Sequence, residues 1–477
     1  MGSRPNIVFI VIDAARASNF GYMGYSKPTT SNVDRIAKKG IVFERCFSCT
    51  SATDPSLTSI FSGKYPVSHG IISHGERITK DQLKTFNATG TKLLPEILSR
   101  YGYLTGAVDW LGRWHKRGYH VYTWPYGSLA NRILKFVKRI AVTFLKYSGL
   151  AFPLSRLNLK LVADAVAVTR CAIDFIRYAI KRSSEPFFLF IHYWDTHTPY
   201  RPPRQYYEEF ARFRYEDYKL IGEILKEIKN PFWRNYLKLC IGDAKSTGQV
   251  LARYDACLAF VDEQIGKLYN YLEEEGIIDD TLLILTSDHG ESLTEHGIYF
   301  AHHGLYDVNV HVPLIMVYPR EFEENKRISA VVQHIDLMPT ILDIIGLEMQ
   351  EVNYIDGKSL LPLVQGDATK IHDFILLEEA YTERKIAIRT ERFKYIRASS
   401  EKNAVCRHCW KIHGGLEELY DISQDPKEEV NLVRNVKYMK IKKVLEKKLL
   451  EEIKELERRR IATILKRRLH AKRVYLA

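Results

Sequence analysis

Two apolar runs in this chain end on side chains that bind cations. Residues 6–13 read Asn-Ile-Val-Phe-Ile-Val-Ile-Asp, and residues 281–289 read Thr-Leu-Leu-Ile-Leu-Thr-Ser-Asp-His. A carboxylate at the end of a buried strand needs a partner. Asp13, Asp288 and His289 together offer hard oxygens and one imidazole, a donor set suited to Ca2+, Mg2+, Mn2+ or Zn2+. Taken singly, each acid is equally an ordinary helix cap.

A hydroxyl joins them. In Thr53-Asp54-Pro55-Ser56-Leu57-Thr58-Ser59-Ile60-Phe61-Ser62-Gly63, Pro55 suits the first turn of a helix and Gly63 its end. Thr53 therefore falls at a helix N-terminus, beside free N–H groups and the positive end of the dipole. A plain capping threonine has the same signature. With a divalent cation nearby, the same hydroxyl becomes a nucleophile. His197, in Asp195-Thr196-His197-Thr198-Pro199-Tyr200, and His302 or His303 are candidates to bind substrate oxygens or protonate a leaving group. Exposed or core histidines are the alternative.

These groups need a scaffold. Continuous apolar runs at 6–13, 186–194, 281–288 and 312–318 read as buried strands, with further strands at 41–46 and 103–108. Helices are expected at 32–39, 53–62, 92–100, 247–275 and 336–345, with a polar loop around Asn87-Ala88-Thr89. This alternation predicts a three-layer α/β/α domain. Ligands in such folds bind beyond the carboxyl ends of the strands, where Asp13, His192 to His197 and Asp288 fall. We expect a catalytic unit over 1–350 with a helical insertion near 117–182. A smaller α+β subdomain with short antiparallel strands follows at 351–432, then a basic helical tail at 433–477.

The chain has 477 residues, is 46% hydrophobic and carries a net charge of +13. Residues 431–477 hold 16 Lys or Arg against five Glu, so the rest of the chain is close to neutral. A near-neutral body disfavours nucleic-acid binding. The tail, and a basic amphipathic pattern through Ile133, Phe136, Val137, Ile140 and Phe144, fit a membrane surface, a second subunit, or packing on the body, and the tail alone also fits nucleic acid. With no run of about 18 apolar residues and no signal-peptide layout, a cytoplasmic protein is expected. Cys46 and Cys49, and Cys406 and Cys409 with His413, have metal-like spacing; joined in space the two pairs could hold a structural zinc, and a disulfide is the alternative.

Motifs in the same order identify a resemblance to the sulfatase family of the alkaline phosphatase superfamily. They include 6–13 with Arg16 and Gly24-Tyr25, Pro28-Thr29-Thr30, Pro55-Ser56 through Gly63-Lys64-Tyr65-Pro66, and Asp195 to Tyr200. Ser287-Asp288-His289-Gly290-Glu291, Glu295-His296-Gly297, His303-Gly304-Leu305-Tyr306, Asp356-Gly357-Lys358-Ser359-Leu360 and Glu418-Leu419-Tyr420-Asp421 complete the set. The resemblance implies that Asp13, Asp288 and His289 hold a divalent metal, with Thr53 at the nucleophile position against it. It places His197 and His302, preferred to His303, near the anionic group. Arg16, His192, Asp195 and His303 are the remaining candidates for substrate binding.

The departures redirect the chemistry. Thr53 replaces the Cys or Ser that formylglycine-type sulfatases oxidise to an aldehyde hydrate; a threonine would give a ketone. Leu57 replaces the Arg of that pattern, and Ala14 the second Asp of a frequent Asp-Asp pair. Gly112-Arg113-Trp114-His115 faintly resembles the family's Gly-Lys-Trp-His but is displaced by Asp109-Trp110-Leu111. The implied activity is a metal-dependent hydrolase of phosphate or sulfate esters, acting on a small-molecule or glycan-type anionic ester through Thr53. Transfer of a phospho-alcohol group, or non-catalytic anion binding, are the alternatives.

Overall fold

The computed structural model describes residues 4–125, 164–182, 185–215, 219–347 and 354–476. The expected amphipathic helix around 133–144 lies outside them. Continuous apolar runs become central strands because both their faces are covered. In β1 (Asn6–Ile12), Ile7, Phe9 and Val11 pack on one helical layer with Leu57, Ile60, Phe61, Leu98 and Ile341. Val8, Ile10 and Ile12 pack on the other with Val33, Ile36, Leu258, Val261 and Ile265. Each such side chain contributes roughly 1.5–3 kcal/mol on burial.

The large sheet also contains β2 (Ile41–Phe47), β3 (Leu104–Val108), β4 (Val121–Thr123), β5 (Phe187–Tyr193), β6 (Thr281–Thr286), β7 (His311–Val312), β8 (Leu314–Val317) and β9 (Lys326–Gln333). Its order is β4-β3-β5-β1-β6-β8-β2-β7, with β9 also pairing β2. β4, β3, β5, β1 and β6 run parallel, whereas β8 is antiparallel to both β6 and β2. The sheet is mixed, as expected of the three-layer architecture. β1, β5 and β6 end at the same edge, which brings Asp13, His192 and Asp288 together.

Three local expectations change. The strand expected at 312–318 is two short strands, β7 and β8, because Pro313 has no N–H to give the ladder. The loop expected at 87–89 is the end of a helix, Lys80–Thr89, whose N-cap Thr79 accepts from the Gln82 N–H. Of its residues only Phe86 and Thr89 are buried, so no apolar stripe announced it. β9 is a strand beyond those expected: it begins Lys-Arg with an exposed, alternating first half, so no continuous apolar run marks it.

The smaller sheet is antiparallel, ordered β10 (Ile375–Glu379), β11 (Lys385–Arg389), β12 (Phe393–Ala398), β13 (Glu417–Asp421). Period-two alternation covers both faces. Ile375, Leu377, Ala387, Ile396 and Tyr420 pack on Phe47, Tyr306 and Val331 of the larger unit. Leu376, Ile388, Tyr395 and Leu419 pack on Leu445, Leu449 and Leu456 of the tail helix Met439–Leu476. The tail is thus docked on the body, held also by Arg397–Glu446 and Lys442–Glu417 ion pairs at 2.8 Å each. Among the described residues no helix is long and apolar enough to cross a membrane.

Candidate active site

Thr53 is the first residue of the helix Thr53–Ser62, after an extended Ala52. The helix ends at Gly63, φ +63°, where a Cβ would stand 2.5 Å from Ile355 Cγ2. That left-handed stop needs glycine. All ten helical residues are buried, so the helix is anchored on every side. Ser56 Oγ donates to the Asp288 carbonyl at 2.6 Å, tying the helix to the loop after β6.

That loop is locked to the end of β1. Asp288 Oδ1 accepts from the Ala14 N–H at 3.1 Å and the His289 N–H at 2.9 Å. Ser287 Oγ accepts from the Ala15 N–H at 2.9 Å. His289 Nδ1 donates to the Gly290 carbonyl at 2.9 Å, leaving Nε2 as the lone-pair nitrogen. Nε2 lies 3.3 Å from Thr53 Oγ1, 3.3 Å from Asp288 Oδ2 and 3.7 Å from Asp13 Oδ1.

The carboxylates at this point have an unmet demand. Both Asp13 oxygens and Asp288 Oδ2 are buried and lack a hydrogen-bond partner. Burial, then repulsion from Asp288, Glu291 and Asp109, pushes the Asp13 carboxyl well above its ordinary range. Burial lowers His289 despite the pull of Asp288, keeping its imidazole neutral as a ligand must be. Three partnerless carboxylate oxygens facing a lone-pair nitrogen and a hydroxyl fit one divalent cation.

His192 stands behind Asp13. Its Nδ1 is 3.0 Å from Asp109 Oδ1, and its Nε2 is 3.9 Å from Asp13 Oδ2. His302 lies over the site: its ring stacks on His289 with centroids 4.3 Å apart, and Nδ1 donates to the Ser51 carbonyl at 2.6 Å. His197 is next, 5.3 Å from His302 between centroids, with Nδ1 donating to the Thr198 carbonyl at 2.7 Å. Burial pushes His197 down to about 4 and His302 well below the usual histidine range.

Arg16, Asp195 and His303 are the remaining sequence candidates. Arg16 is engaged by Glu295 at 2.8 Å. Asp195 is half-buried on the loop after β5, two residues before His197. His303 is buried, and its ring lies 5.8 Å from that of His413. Cys46 and Cys49 are buried in the body beside Asp336, so the two cysteine pairs do not meet.

Asp54, which no sequence motif singles out, organises a second ring of contacts. Its buried carboxylate meets His74 Nδ1 at 2.8 Å, His115 Nε2 at 3.0 Å, the Gly75 N–H at 2.8 Å and the Arg113 guanidinium. Burial alone would raise it, but His74 and His115 hold it well below the usual carboxylate range. Trp114 Nε1 donates to Thr58 Oγ1 at 3.0 Å. The displaced Gly112-Arg113-Trp114-His115 block thus folds onto the start of the Thr53 helix. Its resemblance was the available signal; His74 had none. Leu57 is buried in the core with Ile60 and Phe61, pointing away from the site.

The sequence model of the sulfatase family matches residues 5–347, and that of the N-sulphoglucosamine sulphohydrolase C-terminal region matches 294–455. An N-acetylglucosamine-6-O-sulfatase of Bacteroides thetaiotaomicron is 27% identical over 94% of this chain and 86% of its own length. A structure in complex with its substrate D-glucosamine-2-N,6-O-disulfate superposes with TM-score 0.70 at 22% identity, covering 96% of this chain and 99% of that one. The phosphonate monoester hydrolase of Agrobacterium radiobacter superposes with TM-score 0.68 at 20% identity, covering 95% and 96%.

Proposed function

This chain is a member of the sulfatase family, a hydrolase of sulfuric or phosphoric esters, and on that premise we propose that Thr53 is its nucleophile. The observation that carries the proposal is the position of Thr53 Oγ1, 3.3 Å from His289 Nε2 and beside the partnerless oxygens of Asp13 and Asp288. A divalent cation held there by Asp13, Asp288, His289 and Thr53 supplies, when bound, the positive charge that acidifies a hydroxyl and neutralises a developing anion.

The protein's own groups do the rest. Thr53 Oγ1 attacks phosphorus or sulfur in line with the departing alcohol. The helix start beneath it turns its positive dipole end to the oxyanion; the Asp54 N–H is given to His74 Nδ1 at 3.3 Å, and Pro55 has none. His197 and His302 face the ester, with Nδ1 of each fixed on a carbonyl and Nε2 left to carry the exchangeable proton. An anionic ester beside them favours their protonated form, which then donates to a non-bridging or leaving oxygen. Water releases the acid and returns the Thr53 hydroxyl.

A threonine cannot become the aldehyde hydrate, so a plain alkoxide performs the attack. We therefore place the preference on phosphate or phosphonate monoesters over sulfates, with a sugar or other small alcohol as leaving group. Relatives named for an N-acetylglucosamine sulfate and for phosphonate monoesters span that range. The test is a panel of aryl phosphate, phosphonate, phosphodiester, aryl sulfate and glucosamine 6-sulfate assayed with the protein and its Thr53→Ala variant. Loss of turnover in the variant, with phosphorus esters preferred by the parent, is expected. Full turnover by Thr53→Ala on every substrate the parent cleaves would overturn the proposal.

A further inference from the structure

A second cluster of metal-ligating side chains lies outside this site, built from different chemistry. Cys406 and Cys409 sit on a tight hairpin between β12 and β13. Val405 bridges Ile412, the Cys406 N–H donates to the Lys411 carbonyl at 2.8 Å, and the Trp410 N–H donates back to the Cys406 carbonyl at 2.8 Å. Trp410 takes a left-handed φ of +61° to close that turn. The fold therefore spends backbone strain to bring two thiols round to one side.

Two imidazoles face them. His413 Nε2 is 3.0 Å from Cys409 Sγ. Its Nδ1 donates to the His296 carbonyl at 3.0 Å, which leaves Nε2 as the lone-pair nitrogen and fixes the ring, as in histidines that bind metals. His303 enters from a loop more than a hundred residues earlier, and its donor nitrogen, that of His413 and the Cys406 sulfur all lie within 4.8 Å of one another. All four side chains are buried.

We infer that Cys406, Cys409, His413 and His303 bind one structural Zn2+. Two sulfurs and two nitrogens are a closed tetrahedral set, with donors about 3.3–3.8 Å apart in an ideal site. Soft thiolates select against the hard cations that suit the Asp13 site. Four protein ligands leave no open position, so the role is structural. The ion clamps the hairpin of the smaller sheet to the segment that carries His302, the residue next to ligand His303. Sequence spacing pointed at Cys406, Cys409 and His413, and the chain path supplies the fourth ligand.

The experiment uses the full chain and its Asp288→Asn variant, which weakens the oxygen-rich site only. Zinc-edge X-ray absorption on Asp288→Asn is expected to give two sulfurs at about 2.3 Å and two nitrogens at about 2.0 Å. Cobalt-substituted parent and Asp288→Asn are expected to share a thiolate-to-cobalt charge-transfer band that Cys406→Ser/Cys409→Ser lacks. Should the double serine variant fail to fold, titration of the parent with an organomercurial is expected to release one zinc per chain as the thiols react. An oxygen and nitrogen shell alone, no thiolate-to-cobalt band in the parent, or a disulfide between Cys406 and Cys409 in the parent would each overturn the inference.

Discussion

Thr53 Oγ1 and His289 Nε2 face each other at 3.3 Å, although 236 residues separate them in the chain. The helix that begins at Thr53 and the loop after β6 are joined by Ser56 Oγ on the Asp288 carbonyl, so the two groups cannot drift apart independently. If that pair is the reacting centre, Thr53→Ala lowers kcat/KM at least ~10³-fold, in keeping with loss of a nucleophile. Thr53→Ser, which keeps the hydroxyl, retains a measurable fraction. Intact-protein mass spectrometry after rapid quench is expected to show the added phosphoryl or sulfuryl mass in the parent and not in Thr53→Ala.

Cation binding should reverse the stability order of two proteins. Without cation, burial and neighbouring acids disfavour the Asp13 carboxylate, so Asp13→Asn melts above the parent in chelator. With cation at 100 times its Kd, the parent gains about 2.7 kcal/mol and melts above the variant, which has lost a ligand. Calorimetry in both conditions checks this; an unchanged order would refute a cation at Asp13.

Asp54 is predicted to position the start of the Thr53 helix through His74, His115 and Arg113. Asp54→Asn keeps an oxygen for His115 and Arg113 but removes the charge they share, and it sets an amide NH2 against His74 and the Gly75 N–H, at a cost of about 3–5 kcal/mol. Arg113→Ala costs under ~1 kcal/mol, because that side chain is 36% exposed. Urea denaturation separates the two, and Asp54→Asn should keep its metal content while turnover falls.

His334 makes stability fall on the acid side. It is fully buried between Ser56 Oγ and Thr286 Oγ1, each 3.3 Å away, and burial pushes it down to about 3. Unfolded, it titrates near 6.5, so the unfolded chain binds the extra proton between about 6.5 and 3 and stability drops as pH falls through that window. Melting temperatures measured from pH 7 to 4 should decline less steeply in His334→Gln.

The tail helix owes its place to a few leucines. Leu449 is fully buried against the smaller sheet, so Leu449→Ala costs about 2–4 kcal/mol and exposes the tail to limited proteolysis near residue 435. Leu465, 53% exposed, is the control: Leu465→Ala should change neither.

The amino-acid sequence alone determined the three-layer architecture and the strand ends that carry Asp13, His192 and Asp288. A strand covered on both faces must be apolar throughout, and its first polar residue marks the exit, so β1, β5 and β6 are legible from composition. Thr53 was legible as a helix start because Pro55 and Gly63 act locally. Tertiary structure alone decided which distant groups meet. Asp54 joins His74, Arg113 and His115 across 20 to 61 residues, a pairing no local pattern encodes. His302 and His303 are adjacent in sequence, yet one stacks on His289 and the other approaches His413. Local periodicity reports which side of an element is buried; which element covers it depends on the path of the chain, and that path set the geometry around Thr53.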